Sequence, residues 1–290
     1  MNTNSDRTIA QLFMEKLMKA KFASLLIIFV LLGFAANTAQ AQLKEPDVVD
    51  LPDPKTPLSE GLHNSLGFDV FINNFGFGIG GTYGRVIGPY SELTFRTGIT
   101  GIRDASEQNF QSFVTGQQIV PNKYKRAFGF PFLVGLKHRV FARHIDDNLR
   151  FFVSGAAGPA MAFSYPYVDE QINDGFRTFQ LTQQGFLVPV EQVNDFFTGW
   201  KDGETHWGYS GEIKIGVDIG STFSSKTTIE FGYFFYYFKE GLQIMEPYKP
   251  TRYAAPPPEN NGLPTERKEF FDAQSYFGTP QIKFTFGGMW

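Results

Sequence analysis

The chain has 290 residues, a formal net charge of −3 and no cysteine, and 17% of it is aromatic, with 33 Phe and 30 Gly. The lack of cysteine excludes disulfides and thiolate-bound metals, and the slight negative charge predicts no affinity for nucleic acid. Abundant Phe and Gly with a slightly negative mean hydropathy are typical of a sheet that is apolar on one face. A bundle of membrane helices would be more hydrophobic.

Residues 1–41 are predicted to be an export signal. A basic segment (16–21) precedes an apolar run of about 13 residues, FASLLIIFVLLGF, and a small-x-small cleavage motif ends at Ala41. The apolar run is too short to cross about 30 Å of hydrocarbon as an anchor helix. The polar stretch that precedes the basic segment is unusually long for a signal peptide. Translation starting at Met18 would give a more ordinary one, and we expect the true start there.

Residues 42–61 are rich in Pro and Asp and are predicted to form a flexible periplasmic lead-in. From residue 62 to 290 the chain alternates between segments with a period of two and gaps rich in turn residues, a pattern that indicates strands. Most of these segments are long enough to cross a bilayer as tilted strands. The eight predicted strands are 65–73, 76–87, 90–103, 127–141, 148–165, 207–220, 226–239 and 275–290.

The gaps between the predicted strands alternate in length. Three long gaps, 104–126, 166–206 and 240–274, are separated by gaps of only a few residues. If the N-terminus is periplasmic, every long gap is extracellular, every periplasmic turn is short, and the C-terminus is periplasmic as well. This asymmetry is typical of outer-membrane barrels. We therefore predict an all-β fold, an eight-stranded antiparallel up-and-down transmembrane β-barrel with long extracellular loops.

Most predicted strands carry apolar side chains on one face and polar side chains on the other. In the seventh strand, for example, Ile229 and Phe231 oppose Glu230. A barrel of eight strands is filled by its own side chains, and buried charges need partners. If the apolar faces contact lipid, the lumen is plugged by ion pairs. The predicted network is Asp69, Glu92, Arg96, Lys137, Arg139, Arg150, Glu212, Lys214, Asp218, Glu230 and Lys283.

A soluble sheet with a solvated polar face is the alternative to the barrel, but it leaves the export signal and the loop asymmetry unexplained. Three prolines, Pro131, Pro159 and Pro280, count against a closed barrel because they fall inside predicted strands. All three lie toward the predicted extracellular ends, where strands project beyond the bilayer and can bend.

Aromatic side chains near the strand ends are predicted to form two girdles at the membrane interfaces. These residues are Tyr83, Tyr90, Tyr165, Trp207, Tyr209, Tyr237, Tyr276 and Trp290.

Three features carry a resemblance to known proteins: the AQA-Q junction after the apolar run, the segment AFGFPFLVGLKHRVF (127–141), and the terminal QIKFTFGGMW. With them the chain resembles small outer-membrane barrels of the OmpX and OmpA-domain type, and more closely the PorT-like barrel proteins. The resemblance implies that Phe284, Phe286 and Trp290 supply the signal read by the barrel-assembly machinery, although Gly287 and Gly288 interrupt the alternation. It implies no catalytic residues, and some PorT-like members take part in protein secretion.

Catalysis is an alternative because some eight-stranded barrels modify lipid A with a His at the outer rim. Only His206 is predicted there, with Ser210 further in and Asp202 or Glu204 as an orienting group. The remaining histidines, with Ser65 beside the first, are predicted near the periplasmic side: His63, His138 and His144.

Metal binding is a second alternative, because Asp202, Glu204 and His206 alternate and would share one face of a strand. Charges in loops are usually only solvated, and we predict no metal and no cofactor.

The sequence thus predicts a non-enzymatic outer-membrane barrel with a plugged polar lumen. Its extracellular loops would contact a partner or surface, as part of the envelope or of a secretion complex. Its expected partners are outer-membrane lipid, the barrel-assembly machinery and a protein bound through the three long loops. A lipid-modifying enzyme and a small channel are the alternative functions.

Overall fold

The computed structural model describes residues 53–108, 110–111, 118–145, 147–169, 179–181, 187–189, 193–253 and 264–290. The predicted export signal, the start at Met18, most of the lead-in and the central parts of the three long loops lie outside these residues.

Eight long strands form one closed barrel in which every strand pairs antiparallel with its neighbours in sequence, and the last strand pairs with the first. The predicted eight-stranded up-and-down fold is therefore confirmed. Among the described residues, no helix is long and apolar enough to cross a membrane. The barrel strands, numbered in chain order, are β1 (Asn64–Asn73), β2 (Gly76–Gly88), β3 (Ser91–Ile102), β4 (Lys125–Arg139), β5 (Leu149–Pro166), β6 (Glu204–Ile219), β7 (Lys226–Leu242) and β8 (Gln274–Met289).

Short elements occupy the connections. Two 3-10 helices, Leu58–Glu60 and Trp200–Asp202, precede β1 and β6. Each long connection also contains a small two-stranded antiparallel sheet. The paired segments are Phe110–Gln111 with Gln118–Ile119, Phe179–Leu181 with Leu187–Pro189, and Tyr248–Tyr253 with Pro264–Glu269.

The strands are strongly tilted, because the pairing does not return to its starting level after one circuit of the barrel. Leu66 on β1 pairs with Tyr83 on one side and with Gly288 on the other. Followed from Tyr83 around the barrel, the pairing passes through Phe95, Val134, Ala157, Gly211 and Phe235 to Gly278, which lies 288 − 278 = 10 residues before Gly288. Tilt and stagger of this kind are required to close a sheet into a barrel.

The three strand prolines lie where one ladder is interrupted or has ended. The β3–β4 pairing stops at Thr97–Phe132 and resumes at Thr100–Gly129, which leaves a gap at Pro131. The β4–β5 pairing likewise has a gap opposite Pro159. Pro280 lies one residue beyond the last β1–β8 pair, Asn73–Gln281. Proline lacks the N–H donor that a regular ladder needs on both sides of a strand, and an interrupted or ended ladder on one side accommodates this loss.

The barrel interior is apolar toward the end that carries the long loops and charged further down. The apolar part includes Ile102, Leu133, Phe234, Phe238 and Phe277, all buried. Small residues make room for large ones here. A Cβ on Gly78 would lie 1.9 Å from the ring of Phe71, and one on Gly129 would lie 2.5 Å from the phenol of Tyr236. Glycine at these positions allows bulky rings from other strands to fill the lumen.

Candidate functional site

Two glutamates form the centre of a charged cluster inside the barrel. Glu230 accepts a hydrogen bond from Nη2 of Arg96, at 3.3 Å, and forms an ion pair with Lys283. Glu212 accepts from Arg96 and from Lys214. All five side chains are buried. Because these residues come from β3, β6, β7 and β8, the cluster joins strands on opposite sides of the barrel.

Two further acids belong to the charged interior of the barrel. Asp69 accepts hydrogen bonds from Thr82 and Thr285, each at 2.5 Å, and lies 3.8 Å from the Nζ atom of Lys283. Asp218 accepts two bonds from Lys137, at 2.8 and 2.7 Å.

Lys226 is a member of the cluster that the sequence analysis missed. Its Nζ atom lies 3.6 Å from Glu92, and its side chain is buried. The signal was present, because Lys226 lies four residues before Glu230 and so shares its face of β7.

Two predicted members of the network lie at the end of the barrel that carries the short turns. Arg139 donates to Asp147 in the turn after β4, at 2.7 Å, and to the carbonyl of Lys55, at 2.9 Å. Burial would raise the pKa of Asp147, but the hydrogen bonds from Arg139 and from the backbone of Lys55 outweigh it and hold this pKa below its usual range. Arg150 donates to the carbonyls of Asp147 and Gly220. These two arginines bind turn residues and the lead-in and do not pair with the described acids inside the lumen.

Little free space remains between the luminal side chains. The cavities beside Arg96 and Glu212, beside Lys137 and Asp218, and beside Glu92 and Lys226 have volumes of about 20 to 30 Å³. Such volumes hold single water molecules.

A strap, Gln243–Glu246, crosses the mouth of the barrel at the end with the long loops. It follows β7, and the carbonyl of Ile244 accepts hydrogen bonds from the backbone of Tyr124 and Lys125, at 2.8 and 3.0 Å, at the start of β4. These two strands are not neighbours in the barrel. Ile244 packs into the apolar upper core and is 1% exposed. The strap therefore covers the lumen from above.

A hydroxyl, an imidazole and a carboxylate meet at the same end of the barrel. Nε2 of His206 lies 3.0 Å from the hydroxyl of Ser164 and 3.8 Å from Glu204. Glu204 accepts a hydrogen bond from Lys125 at 2.6 Å. The expected partner Ser210 is instead buried, and its hydroxyl has no hydrogen-bond partner among the described residues.

This arrangement differs from a catalytic triad. In a triad the acid binds the ring nitrogen that does not contact the nucleophile. Here Glu204 and Ser164 approach the same nitrogen of His206. Asp202 lies in the 3-10 helix before β6. The described residues contain no group of three or more His, Asp or Glu side chains arranged to hold a metal ion.

The other histidines occupy the positions expected for turn and surface residues. His63 bonds to the carbonyl of Gly61 through Nδ1, at 2.9 Å, and His138 to the hydroxyl of Ser91 through Nδ1, at 2.9 Å. His144 lies in the turn after β4 and is exposed.

The outer surface of the barrel is a belt of exposed apolar side chains. Every strand contributes at least one, in the alternation that the sequence predicted. Examples from β1 to β8 in turn are Phe68, Ile79, Phe95, Val134, Val153, Ile213, Phe231 and Ile282.

Aromatic residues mark the two edges of this belt. Tyr209, Tyr237 and Tyr276 occupy one row, since Tyr209 pairs with Tyr237 and Tyr237 with Tyr276. Trp207 is exposed close to this row, while Tyr83 and Trp290 are exposed at the opposite end.

Two of the predicted interface aromatics are less accessible. Tyr90 is only partly exposed. Tyr165 was predicted to lie at the interface but is 0% exposed, because the segment 193–200 covers it. Its hydroxyl donates to the carbonyl of Phe196 at 3.2 Å.

The predicted assembly signal lies on the outer face of β8 and just after it. Phe286 and Trp290 are exposed, and Phe284 is partly exposed. The backbone of Trp290 exchanges hydrogen bonds with Asn64, each at 2.9 Å. The last residues therefore help to close the barrel against β1.

The fold and these sites define a small closed β-barrel with an apolar exterior and a charged interior. No family model and no curated protein matches the chain. Among solved structures, the N-terminal β-barrel domain of Pseudomonas aeruginosa OprF is similar to it, at 10% identity over 78% of this chain and 98% of the other, with a TM-score of 0.31. A TM-score this low adds no argument, and the barrel assignment rests on the strand pairing.

Proposed function

We propose that this chain is an integral outer-membrane β-barrel protein with a sealed lumen, whose long loops contact a partner outside the cell. The apolar exterior of the closed barrel carries this proposal. An exposed apolar surface that surrounds a whole barrel is costly in water and is stabilised by lipid. The charged side chains are confined to the interior because lipid cannot solvate them, and there they pair with one another.

The orientation follows from the connections. The first residue of β1, the last residue of β8 and the short turns lie at one end of the barrel, and the three long connections lie at the other. Barrels of this class have short periplasmic turns and longer extracellular loops. We therefore assign the termini to the periplasm and the strap to the cell surface.

A sealed lumen is supported at two levels. The charged cluster fills the middle of the barrel, and the strap with its buried Ile244 closes the outer mouth. A channel would need a continuous water-filled path. Cavities of about 20 to 30 Å³ between the charged side chains do not supply one.

The loops are the proposed contact surface. They comprise 104–126, 166–206 and 240–274, and their described parts are linked to one another by backbone hydrogen bonds. Tyr124 binds Ile244 and Tyr167 binds Tyr124, at 2.8 and 2.9 Å. A jointly held rim of this kind presents a defined surface for a protein partner. Membership of the PorT-like group and of a secretion complex stay predictions.

The proposal is tested in three steps on the full chain. The protein should fractionate with the outer membrane and migrate faster on a gel when unheated than when boiled. A soluble protein without this shift would contradict the barrel in a membrane.

Purified protein in planar bilayers should give no steady conductance, and stable open steps would contradict the sealed lumen. Pull-down from detergent-solubilised envelopes should recover a specific partner, which a protein lacking 254–263 in the third loop should bind less well.

A further inference from the structure

A short segment after β5 carries aromatic side chains on the outside of the barrel. Residues 193–200 lie against the outer faces of β4 and β5, where the ring of Phe196 is centred 5.4 Å from that of Phe128. Trp200 packs edge-on against Phe163 and Tyr165, with ring centres 6.2 and 6.1 Å apart. Phe128, Phe163 and Tyr165 occupy lipid-facing positions of their strands by the alternation of the pleat. We call the exposed rings of Phe196, Phe197 and Trp200 the aromatic platform.

The platform is held in place by polar contacts rather than left as a free loop. Asp195 accepts hydrogen bonds from the backbone N–H groups of Phe197 and Thr198, at 2.8 and 2.7 Å, which close a tight turn. Arg126 on β4 donates to the carbonyl of Asp195 at 2.5 Å. The backbone N–H of Asn194 donates to the carbonyl of Tyr167 at 3.0 Å. The turn therefore has a defined position on the barrel wall.

The outward side of the platform is unusually apolar for an extracellular loop. Phe197 is 70% exposed, Phe196 51% and Trp200 43%. Neighbouring side chains of the same segment, Asp195 and Thr198, are polar and exposed. Clusters of exposed aromatic rings with a polar rim mark a contact surface.

This surface is continuous with the lipid-facing belt. Phe163 pairs with Thr205 on β6, and the next outward residue of β6 is Trp207, which is 67% exposed. The platform thus extends the belt upward by one loop, beside the row of Tyr209, Tyr237 and Tyr276. Trp and Phe rings flanked by polar groups suit the boundary between acyl chains and headgroups.

We propose that the aromatic platform inserts into the headgroup boundary of the outer leaflet and anchors the second long loop to the membrane surface. The inference rests on the proposed function, because it requires the barrel to span a bilayer. Its occupant is lipid, because the platform joins the belt without a break. In this position the loop could not swing over the barrel mouth, and the partner surface would be held to one side of the rim.

The test uses the three tryptophans of the chain, Trp200, Trp207 and Trp290. One protein keeps only Trp200 (Trp207→Phe and Trp290→Phe), and a second keeps only Trp207 (Trp200→Phe and Trp290→Phe). Each is reconstituted in phosphatidylcholine vesicles with or without bromine on the acyl chains near the headgroup, and heat-modifiable migration checks the fold. We expect brominated lipid to quench both fluorescence signals.

The outcomes separate the two proposals. Quenching of Trp207 without Trp200 would overturn the platform and leave the membrane barrel intact, whereas quenching of neither would overturn the barrel itself. If added solubilised envelope proteins abolished the quenching of Trp200 by brominated lipid, the platform would be assigned to a protein and the lipid contact would be overturned.

A second variant tests the platform as a unit. Phe197→Ser, placed in the protein that keeps only Trp200, should reduce the quenching of Trp200. The matched control is Phe270→Ser, which removes an exposed ring from another loop and should leave the quenching unchanged. Equal effects of the two substitutions would contradict a specific platform.

Discussion

The charged residues inside this barrel depend on ion-pair partners, most of which lie on another strand. Glu230 is 2% exposed and contacts both Arg96 and Lys283. Removing one member of a buried cluster leaves the other charges without compensation, which costs more than the pair itself contributes. A substitution of one member of the cluster should therefore lower the free energy of unfolding strongly, although the whole cluster contributes little net free energy to stability.

Glu230→Gln should lower the free energy of unfolding by about 3 to 5 kcal/mol, because Arg96 and Lys283 lose a buried counter-charge. Urea unfolding in phospholipid vesicles, followed by tryptophan fluorescence, measures the change. The control is Glu240→Gln, since Glu240 is exposed and should change stability by less than about 0.5 kcal/mol. Equal effects of the two substitutions would show that the cluster is not compensated as described.

The contact between His206 and Ser164 is predicted to be structural. His206→Ala should leave the lipid A of producing cells unchanged by mass spectrometry. Glu204 and Ser164 approach the same ring nitrogen, and none of the described acids is placed as in a triad. Ser164→Ala serves as the companion variant. A lipid A species that disappears in both variants would establish an enzyme and contradict this reading.

At the scale of the strands, glycines determine how the interior is packed, because a position without a side chain leaves room for a bulky ring from another strand. Gly129 on β4 allows Tyr236 on β7 to fill the upper lumen. The strand prolines show the complementary effect on the backbone, since Pro131 and Pro159 coincide with gaps in a ladder. Closure of the barrel thus tolerates local loss of pairing where packing inside remains dense.

Gly129→Ala should destabilise the barrel by about 1 to 3 kcal/mol, as overpacking of a filled core does. The added Cβ would lie 2.5 Å from the phenol of Tyr236. Gly81→Ala is the matched control on β2, because its added Cβ would meet nothing closer than 3.6 Å. The same vesicle unfolding assay compares them. No difference between the two alanine variants would contradict a tightly packed lumen.

For the whole molecule, the proposed orientation places the end with the long connections at the cell surface and the other end in the periplasm. The strap, the aromatic platform and the three long loops share the outer end. The turn after β4, the start of β1 and the end of β8 share the other end.

The absence of cysteine makes this orientation directly testable in intact cells. Lys268→Cys, in the third long loop, should react with a membrane-impermeant maleimide, because Lys268 is exposed at the outer end. His144→Cys, exposed in the turn after β4, should react only after the outer membrane is permeabilised. The opposite pattern of labelling would reverse the assignment.

The sequence by itself determined the number of strands, their antiparallel order and the side chains that face inward. A period of two assigns each residue to one face without reference to any other strand, so the inward positions of Asp69, Glu212 and Glu230 followed from local pattern alone. Loop lengths likewise required no tertiary information.

Only the tertiary structure decided which residues meet. The stagger of ten residues around the barrel sets which acid lies level with which base, and the register between β5 and β6 brings Ser164 to His206. It also decided that Tyr165 is covered, because the segment that hides it lies about 30 residues away in the chain. Strand pairing and loop packing join distant parts of the chain, and their register depends on the closed barrel as a whole.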